Sequence, residues 1–290
     1  MKKKICVIGA AIAALALGTC LLAGCSSSSS STSTSTSSSA SASASASASS
    51  ATKLIVGFDA EYPPYGYMGD DGQYTGFDLD LAKAVCEDLG WEFEAQPIDW
   101  DAKDSLINAG TITCIWNGFT YEGRESDYAW TEAYMNNSQV ILVKADSTIA
   151  TEADLAGKAV LTQADSAALE LLEGDKADLA ATFKDGKVSQ IADYTNALMQ
   201  LDSGNVDALA CDYSIAAYAM AQKADTYKVA ITLSSEHYAV GFKTGNQDMA
   251  DQVTASLKKL AANGTVVKLI EKYADQGISA DSWCLTAELK

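Results

Sequence analysis

The sequence has few of the residues that catalytic and metal sites most often use. Its 290 residues include one histidine, His237, and three prolines. None of the seven cysteines lies in a CxxC pair or another spacing typical of metal ligands. We find no motif for a nucleophile triad and no phosphate-binding glycine loop. The sequence therefore predicts no metal site and no cofactor, and we interpret His237 as a structural residue.

Positive charge is also scarce. The chain has 20 Lys and Arg residues against 38 Asp and Glu residues, a formal net charge of −18. Residues 1–24 contain three of the lysines and no acidic residue, so the rest of the chain carries −21. A surface of this charge disfavours nucleic acid and anionic lipid headgroups as partners.

Long hydrophobic runs are absent except at the N-terminus. Three lysines at positions 2–4 precede an apolar stretch, Ile5 to Leu22, which is the pattern of an export signal. The stretch ends in Leu22-Ala23-Gly24-Cys25, which resembles a bacterial lipoprotein cleavage box. The resemblance implies that residues 1–24 are removed and that Cys25 is lipidated and anchors the protein at the extracellular face of the membrane. The alternative is an uncleaved transmembrane anchor, because residues 5–23 are nearly long enough to span a bilayer.

The next segment contains only Ser, Thr and Ala from Ser26 to Ser50. Such a composition cannot bury a core, so residues 25–52 are predicted to be a solvated tether with a reach of roughly 25–30 Å. Four cysteines follow the tether, and Cys86 and Cys284 are left open as a disulfide or as free thiols.

Residues 53–290 alternate between strand-like and helix-like segments. Lys53–Phe58 is a short apolar run, and Asp78 is predicted to cap a helix with apolar residues at four-residue spacing. A helix over residues 102–109 should end at Gly110, before the strand Ile112–Trp116. This alternation predicts an α/β fold with mostly parallel sheets flanked by helices.

The same pattern occurs again in the second half of the chain. A helix from about residue 195 should end at Gly204, and the strand Val206–Cys211 follows. Two long β-rich segments, Ser138–Val143 and Glu236–Phe242, could cross between two similar lobes. We therefore expect lobe 1 to comprise residues 53–142, lobe 2 residues 143–236, and a return strand with C-terminal helices, residues 237–290, to complete lobe 1.

Several motifs occur in order between about residues 55 and 275. They are Val56–Tyr65, Gly76–Ala82, Ile98–Asp101, Trp116–Arg124, Trp130–Tyr134, Asp154–Lys158 and Asn263–Ile270. Together they resemble the polar amino-acid-binding proteins of bacterial ABC importers. The resemblance implies a two-lobed periplasmic-binding-protein-like fold with two crossover strands, which closes on an L-amino acid and delivers it to a transporter permease. A monomer is the default expectation.

An amino-acid zwitterion needs a cation for its carboxylate and an anion for its ammonium. Arg124 is the only arginine in the chain, and arginine offers a planar fork to a carboxylate. Its position alone is equally compatible with a surface ion pair to Glu122, Glu125 or Asp127. The resemblance favours Arg124 as the residue that binds the ligand carboxylate.

The resemblance also assigns the other contacts to the charged ends of the ligand. Ser166 opens the lobe 2 helix whose backbone N–H groups would bind the same carboxylate. Asp212 would accept the ammonium, together with the Gly118 carbonyl and the Thr120 hydroxyl. Ser166 and Asp212 could instead be simple helix caps.

The ligand side chain would lie between Tyr62 and Trp100, with Asp59 at the floor of its pocket. Both aromatics could alternatively be ordinary packing residues. The carboxylates of Asp59 and nearby Glu61 favour a ligand with a polar or cationic side chain. Glutamate and aspartate are therefore the less favoured ligands. Arginine, lysine, histidine, glutamine and cystine stay open.

The sequence departs from the family pattern near two of these residues. Three residues separate Thr120 from Arg124 where the family usually has four, and Asp165 precedes Ser166 where a glycine is common. Two other functions share this architecture and stay open. One is a dehydratase acting on prephenate- or arogenate-like acids, for which Glu61 is the obvious acid or base, and the other is an extracellular amino-acid sensor. We predict a binding protein and not an enzyme.

Overall fold

Two five-stranded sheets and a small three-stranded sheet form the framework of the computed structural model, which describes residues 52–286 and Leu289. The predicted signal sequence, the lipidation at Cys25 and the tether to residue 51 lie outside the described residues. No helix in the described part of the chain is both long enough and apolar enough to cross a membrane.

Thirteen strands lie within the described range. In chain order they are β1 (Lys53–Phe58), β2 (Glu61–Tyr62), β3 (Gly66–Met68), β4 (Tyr74–Thr75), β5 (Glu92–Pro97), β6 (Cys114–Ile115), β7 (Tyr128–Trp130), β8 (Met135–Lys144), β9 (Val160–Gln163), β10 (Ser189–Ile191), β11 (Ala208–Asp212), β12 (Tyr227–Tyr238) and β13 (Gly241–Lys243). The eight α-helices of the same range are α1 (Phe77–Leu89), α2 (Lys103–Ala109), α3 (Ala167–Glu173), α4 (Ala177–Ala180), α5 (Tyr194–Ser203), α6 (Tyr213–Gln222), α7 (Gln247–Ala262) and α8 (Thr265–Lys272).

The two large sheets have the same design. The lobe 1 sheet has the order β5-β1-β6-β13-β7, and the lobe 2 sheet has the order β10-β9-β11-β8-β12. In each sheet four of the five strands run in one direction, and β13 or β8 runs against them. The interior strand β1 is buried at four of its six residues and β11 at all five, because helices cover the sheet faces. The predicted α/β fold with helices flanking the sheets is confirmed, and each sheet is mixed, with two parallel and two antiparallel strand pairings.

Two adjacent chain segments join the lobes. The chain passes from β7 to β8 at residues 131–134 and returns from β12 to β13 at residues 239–240. Backbone hydrogen bonds tie the crossings together: the Tyr134 N–H donates to the Tyr238 carbonyl at 2.9 Å, and the Thr131 N–H to the Val240 carbonyl at 3.1 Å. Beyond the return strand, α7 and α8 pack against α1 in lobe 1.

The start of α1 differs from the prediction. Asp78 was expected to cap this helix, but Gly76 occupies the N-cap position and Asp78 lies inside the first turn. The Asp78 carboxylate is fully buried and points into the lobe, where it accepts hydrogen bonds from the Gly118 N–H at 2.6 Å and from the Tyr134 hydroxyl at 2.8 Å. The cap prediction was therefore wrong, because tertiary donors hold the carboxylate away from the helix terminus.

The helix ends at glycine were predicted correctly. Gly110 and Gly204 adopt left-handed conformations, with φ of 76° and 74°, directly after α2 and α5. The strands that follow, β6 and β11, are shorter or shifted by up to two residues at their starts. The cysteines Cys86, Cys114, Cys211 and Cys284 are free thiols in the described part of the chain.

Candidate functional site

A small cavity between the two lobes gathers seven of the eight predicted site residues. Its volume is about 10 Å³. The predicted residues in its lining are Tyr62, Trp100, Gly118, Thr120, Arg124, Ser166 and Asp212, and Asn117, Gln163 and Ala167 complete it. An amino acid is much larger than this volume, so the lobes must move apart before one can enter.

Arg124 lies in the loop between β6 and β7 and crosses the cleft to lobe 2. Its side chain is buried, and its Nη2 and Nε atoms donate to one carboxylate oxygen of Glu170 on α3 at 2.7 and 3.2 Å. Its Nη1 donates to the Thr120 carbonyl at 3.4 Å, and its guanidinium carbon lies 5.1 Å from the centre of the Phe119 ring. Arg124 thus faces the cleft, and its ion pair is with the opposite lobe and not with the neighbouring acids on its own loop.

Ser166 is the N-cap of α3. Its Oγ accepts the Leu169 N–H at 3.1 Å and donates to the Gln163 carbonyl at 2.8 Å. The structure therefore shows the capping role that the sequence left as an alternative. Because Ser166 and Ala167 also line the cavity, α3 begins at its wall.

Asp165 adopts the left-handed conformation that suits the glycine expected at this position, with φ of 56°. Its carboxylate forms an ion pair with Lys103 of lobe 1, and its carbonyl accepts the Trp100 Nε1–H at 3.1 Å. The acid therefore does not compete for Arg124. Two ion pairs therefore connect the lobes: Lys103 with Asp165, and Arg124 with Glu170.

Asp212 is at the end of β11 and is the N-cap residue of α6, but its side chain makes no capping hydrogen bond. Its carboxylate is 4% exposed and accepts from Asn137 Nδ2 at 2.9 Å and Gln139 Nε2 at 2.7 Å, both on β8. The same two amide nitrogens also donate to Glu236 Oε1 on β12, at 2.7 and 2.8 Å. The alternative of a simple helix cap is thus not what the structure shows for Asp212.

Glu236 was not among the predicted site residues. Its Oε1 accepts the Thr120 hydroxyl at 2.8 Å, so Thr120, expected to contact the ligand ammonium, is bonded to a carboxylate already. Burial and the charge of Asp212 raise the pKa of Glu236 to about 7, and burial raises the pKa of Asp212. The sequence offered one signal for Glu236: it is an acidic residue at the start of a segment predicted to cross between the lobes.

The expected side-chain pocket is enclosed by aromatic rings. Tyr62 packs against Tyr194 of lobe 2 with ring centres 5.9 Å apart, and its hydroxyl lies 3.3 Å from that of Tyr238. Trp100 packs edge to face on Phe119 at 5.6 Å. Tyr62 and Trp100 therefore have packing partners of their own and also line the same cavity.

Asp59 lies next to this cavity and not in its lining. Its Oδ2 accepts the Gln163 Nε2–H at 2.6 Å across the cleft, and its Oδ1 accepts the Glu61 N–H at 2.8 Å. Burial raises its pKa to about 6. Asp59 also borders a neighbouring cavity of about 510 Å³, whose lining includes four further carboxylates, those of Glu61, Asp99, Asp101 and Asp193, and no lysine or arginine.

Asn117 is a second residue that sequence reasoning missed. It lines the small cavity, it is buried, and neither atom of its side-chain amide has a hydrogen-bond partner in the described part of the chain. A buried amide without a partner costs free energy, so its place at the cavity wall suits contact with a polar group. Its position directly before Gly118 in the quoted motif could have indicated it. Within residues 52–286 and Leu289, no group of three or more His, Cys, Asp and Glu side chains could hold a metal ion.

Comparison with known families decides the class of this protein. The model of the bacterial extracellular solute-binding proteins, family 3, matches residues 54–276. The chain belongs to this family. The family match covers both lobes and every residue of the candidate site.

Individual relatives agree with this assignment. The chain is 27% identical to the L-cystine-binding protein TcyJ of Escherichia coli (strain K12), covering 76% of this chain and 82% of the relative. It is 26% identical to the arginine-binding extracellular protein ArtP of Bacillus subtilis (strain 168), covering 76% and 86%. These relatives are binding proteins, which is in line with the prediction that the chain is not an enzyme.

A solved structure shows the same fold. It is the substrate-binding protein of an ABC uptake transporter from Streptococcus pneumoniae with bound histidine, with a TM-score of 0.75 and 30% identity. The match covers 79% of this chain and 94% of that one. The predicted two-lobed periplasmic-binding-protein fold is confirmed.

Proposed function

We propose that this protein is the substrate-binding component of an ABC uptake transporter and that it binds an L-amino acid, preferably one with a cationic side chain, between its lobes. The observation that carries the proposal is the placement of Arg124 and Asp212 in the lining of one buried cavity. A fixed cation and a fixed carboxylate in a single site complement the two charged ends of a zwitterion.

The α-carboxylate would bind to Arg124 and to the first turn of α3. Arg124 is held in place by the Phe119 ring and the Thr120 carbonyl, so its planar fork is already oriented toward the cleft. The carboxylate would replace Glu170 as the acceptor, and the N–H groups behind Ser166 would supply further donors.

The α-ammonium would bind at the opposite wall. Asp212 supplies a buried carboxylate there, and Thr120 and the carbonyl of Gly118 lie in the same lining. Gly118 adopts a left-handed conformation, with φ of 56°, which glycine reaches at no steric cost.

The charge around the side-chain pocket supports a cationic ligand. Tyr62 and Trp100 would flank the ligand side chain, which would extend toward Asp59 and the larger acidic cavity beside it. A positive group there would be attracted by five carboxylates with no competing basic residue in the lining. The relatives named for arginine and cystine, and the structure with bound histidine, show that this family includes binders of polar and cationic amino acids.

Ligand binding would stabilise the closed form. Arg124, Thr120 and Gly118 belong to lobe 1, whereas Asp212 and Ser166 belong to lobe 2. A ligand that contacts both sets binds the closed state more tightly than the open state and shifts the population toward it. The permease would recognise the closed form.

The location of the protein follows from the N-terminal sequence. Removal of residues 1–24 and lipidation of Cys25 would anchor the chain at the extracellular face of the membrane, with residues 25–52 as a tether. Residues 53–142, 143–236 and 237–290 would then form lobe 1, lobe 2 and the return to lobe 1, and the protein would act as a monomer.

Thermal unfolding against the twenty L-amino acids and cystine tests the proposal. A ligand at about one hundred times its Kd should add roughly 2.7 kcal/mol to the free energy of unfolding, which gives a clear rise in Tm. The rise should be largest for arginine or lysine and should be lost in both Arg124→Ala and Asp212→Asn. Lys268→Ala, which removes a charge from the exposed surface of α8, is the control and should respond like the native protein. No rise with any amino acid would refute the proposal.

A further inference from the structure

The two buried carboxylates of Asp212 and Glu236 form a pair that the binding of a zwitterion does not by itself require. They lie on β11 and β12, which flank β8 on either side. In the strand register Asp212 is opposite Gln139, and Glu236 is opposite Asn137. Because residues 137 and 139 point to the same face of the sheet, all four side chains meet on one surface.

Shared donors place the two carboxylates side by side. Asn137 Nδ2 and Gln139 Nε2 each donate to Asp212 Oδ1 and to Glu236 Oε1, at distances between 2.7 and 2.9 Å. One oxygen of each carboxylate is therefore in contact with the same two nitrogens. Asp212 is 4% exposed and Glu236 is 6% exposed, so water offers little screening to either.

No cation of the described residues forms an ion pair with either carboxylate. Arg124 donates to Glu170 and to the Thr120 carbonyl, and it makes no hydrogen bond with either carboxylate. The other titratable groups that face the pair are one thiol and four phenols, whose pKa values are all raised by burial: Cys211, Tyr62, Tyr65, Tyr194 and Tyr238. These groups are neutral at physiological pH, and they can donate hydrogen bonds but cannot balance charge.

Two buried like charges in contact with the same donors cannot both ionise cheaply. The stable arrangement is one proton for the pair, so that the pair as a whole carries a single negative charge. The raised pKa of Glu236, about 7, agrees with a pair that takes up this proton near neutral pH.

We propose that Asp212 and Glu236 together hold one proton in the absence of ligand and release it to solvent when the α-ammonium of the ligand binds. This inference rests on the proposed function, because it uses the ammonium subsite at Asp212. The arriving ammonium supplies the missing positive charge, so both carboxylates can then ionise. The singly protonated pair and the ligand ammonium give the doubly ionised pair, the bound ammonium and one free proton, and no other group gains or loses a proton.

The coupling has a defined sign. Below the pKa of the pair, binding must expel a proton, so the affinity should rise with pH by up to about tenfold per unit. Above about pH 7 the pair is already ionised, and the affinity should become independent of pH. The α-ammonium and α-carboxylate of the ligand stay charged below pH 7, so the ligand itself adds no pH dependence where the coupling is expected.

Isothermal titration calorimetry of the full-length protein with L-arginine tests this coupling. The observed heat is measured at pH 6.5 in several buffers of different ionisation enthalpy and again at pH 8. The slope of heat against ionisation enthalpy counts the protons exchanged. The native protein should release about three-quarters of a proton at pH 6.5 and about a tenth of a proton at pH 8, as expected for a pair with an apparent pKa near 7.

Glu236→Gln separates this pair from other sources of protons. Glutamine keeps the acceptor oxygen that Thr120, Asn137 and Gln139 use, so the fold and the subsite should persist. The variant should release far less than the native protein at pH 6.5, and its affinity should change little with pH. Glu173→Gln is the matched control, because Glu173 is exposed on α3 and does not line the cavity, and it should release as many protons as the native protein. Asp59→Asn tests the carboxylate of the side-chain pocket, whose pKa is also raised.

Each outcome distinguishes the two proposals. If L-arginine binds without proton release at pH 6.5, or if Glu236→Gln releases as many protons as the native protein, the shared proton is wrong while the binding function stands. If Asp59→Asn abolishes the release and Glu236→Gln does not, the proton comes from the side-chain pocket and the inference is also wrong. If L-arginine does not bind, the preference for a cationic ligand fails, and the same titration is made with the amino acid that the unfolding screen selects.

Discussion

Replacing Glu170 with glutamine should increase the affinity of the protein for its amino acid. In the closed structure one Glu170 oxygen accepts from both Nη2 and Nε of Arg124, at 2.7 and 3.2 Å. A ligand carboxylate bound to the Arg124 fork would need the same two N–H groups. The side chain of Glu170 therefore competes with the ligand and must be displaced before the ligand can bind.

The magnitude follows from the exposure of the pair. The Glu170 side chain is 46% exposed, whereas that of Arg124 is 6% exposed. A half-exposed ion pair contributes about 0.2–1 kcal/mol after solvent screening. Removing the charge of Glu170 should therefore lower the Kd by roughly 1.5- to 5-fold. The effect should shrink at high salt, because screening weakens the native pair.

Calorimetric titration at low salt measures this difference directly. Glu173→Gln is the matched control, because it removes the same charge from the same helix. Within the part of the chain that the structure describes, the Glu173 carboxylate accepts one hydrogen bond, from Gln190 Nε2 at 3.4 Å. Only the Glu170 variant should bind more tightly. Weaker binding by Glu170→Gln would refute the reasoning, because it would mean that Glu170 stabilises the ligand-bound closed form.

Three further changes should affect stability. Burial raises the pKa of Asp78 from 3.8 to about 7, so the folded state holds its proton and stability should fall as pH rises from about 4 to 7. Asp78→Asn should remove about 3 kcal/mol of this fall between pH 5 and pH 8, measured by urea unfolding at the two pH values. Gly118→Ala should cost about 1–2 kcal/mol of stability and weaken binding, because φ is 56° and the new Cβ would lie 3.0 Å from a tyrosine ring; thermal unfolding and calorimetry measure the two effects. Gly76→Ala should cost about 3 kcal/mol or more in urea unfolding, because its Cβ would lie 2.2 Å from a backbone carbonyl. Gly110→Ala, which meets nothing within 4 Å, should cost only about 1 kcal/mol, and equal losses for the two glycines would contradict this account.

Local sequence signals predicted the ends of helices and strands well where one residue type determines the backbone conformation. Gly110 and Gly204 end their helices in the left-handed conformation, and β1 has the bounds that its apolar run indicated. Asp78 shows the limit of such signals. An acid at the start of a helix usually caps it, but here donors from residues 118 and 134 hold the carboxylate in the core. Contacts this far apart in sequence cannot be read from a local pattern.

The sequence indicated the two charged residues proposed to bind the ligand, but not the acidic residues that contact them. Arg124 stood out as the only arginine, and the family motifs indicated Asp212. Glu236 and Glu170 were missed, because their roles depend on strand register and on how closely the lobes approach. Asp59 was expected in the pocket itself, but the structure places it at the border, bonded to Gln163.

The burial of Arg124 makes it a chemical reporter for the motion of the lobes. Dicarbonyl reagents that react with guanidinium groups have one side-chain target in this chain, because it contains no other arginine. In the closed structure that target is 5% exposed and covered by Glu170. Modification therefore requires the cleft to open, and its rate, followed by mass spectrometry, would measure how often the cleft opens without any label being introduced.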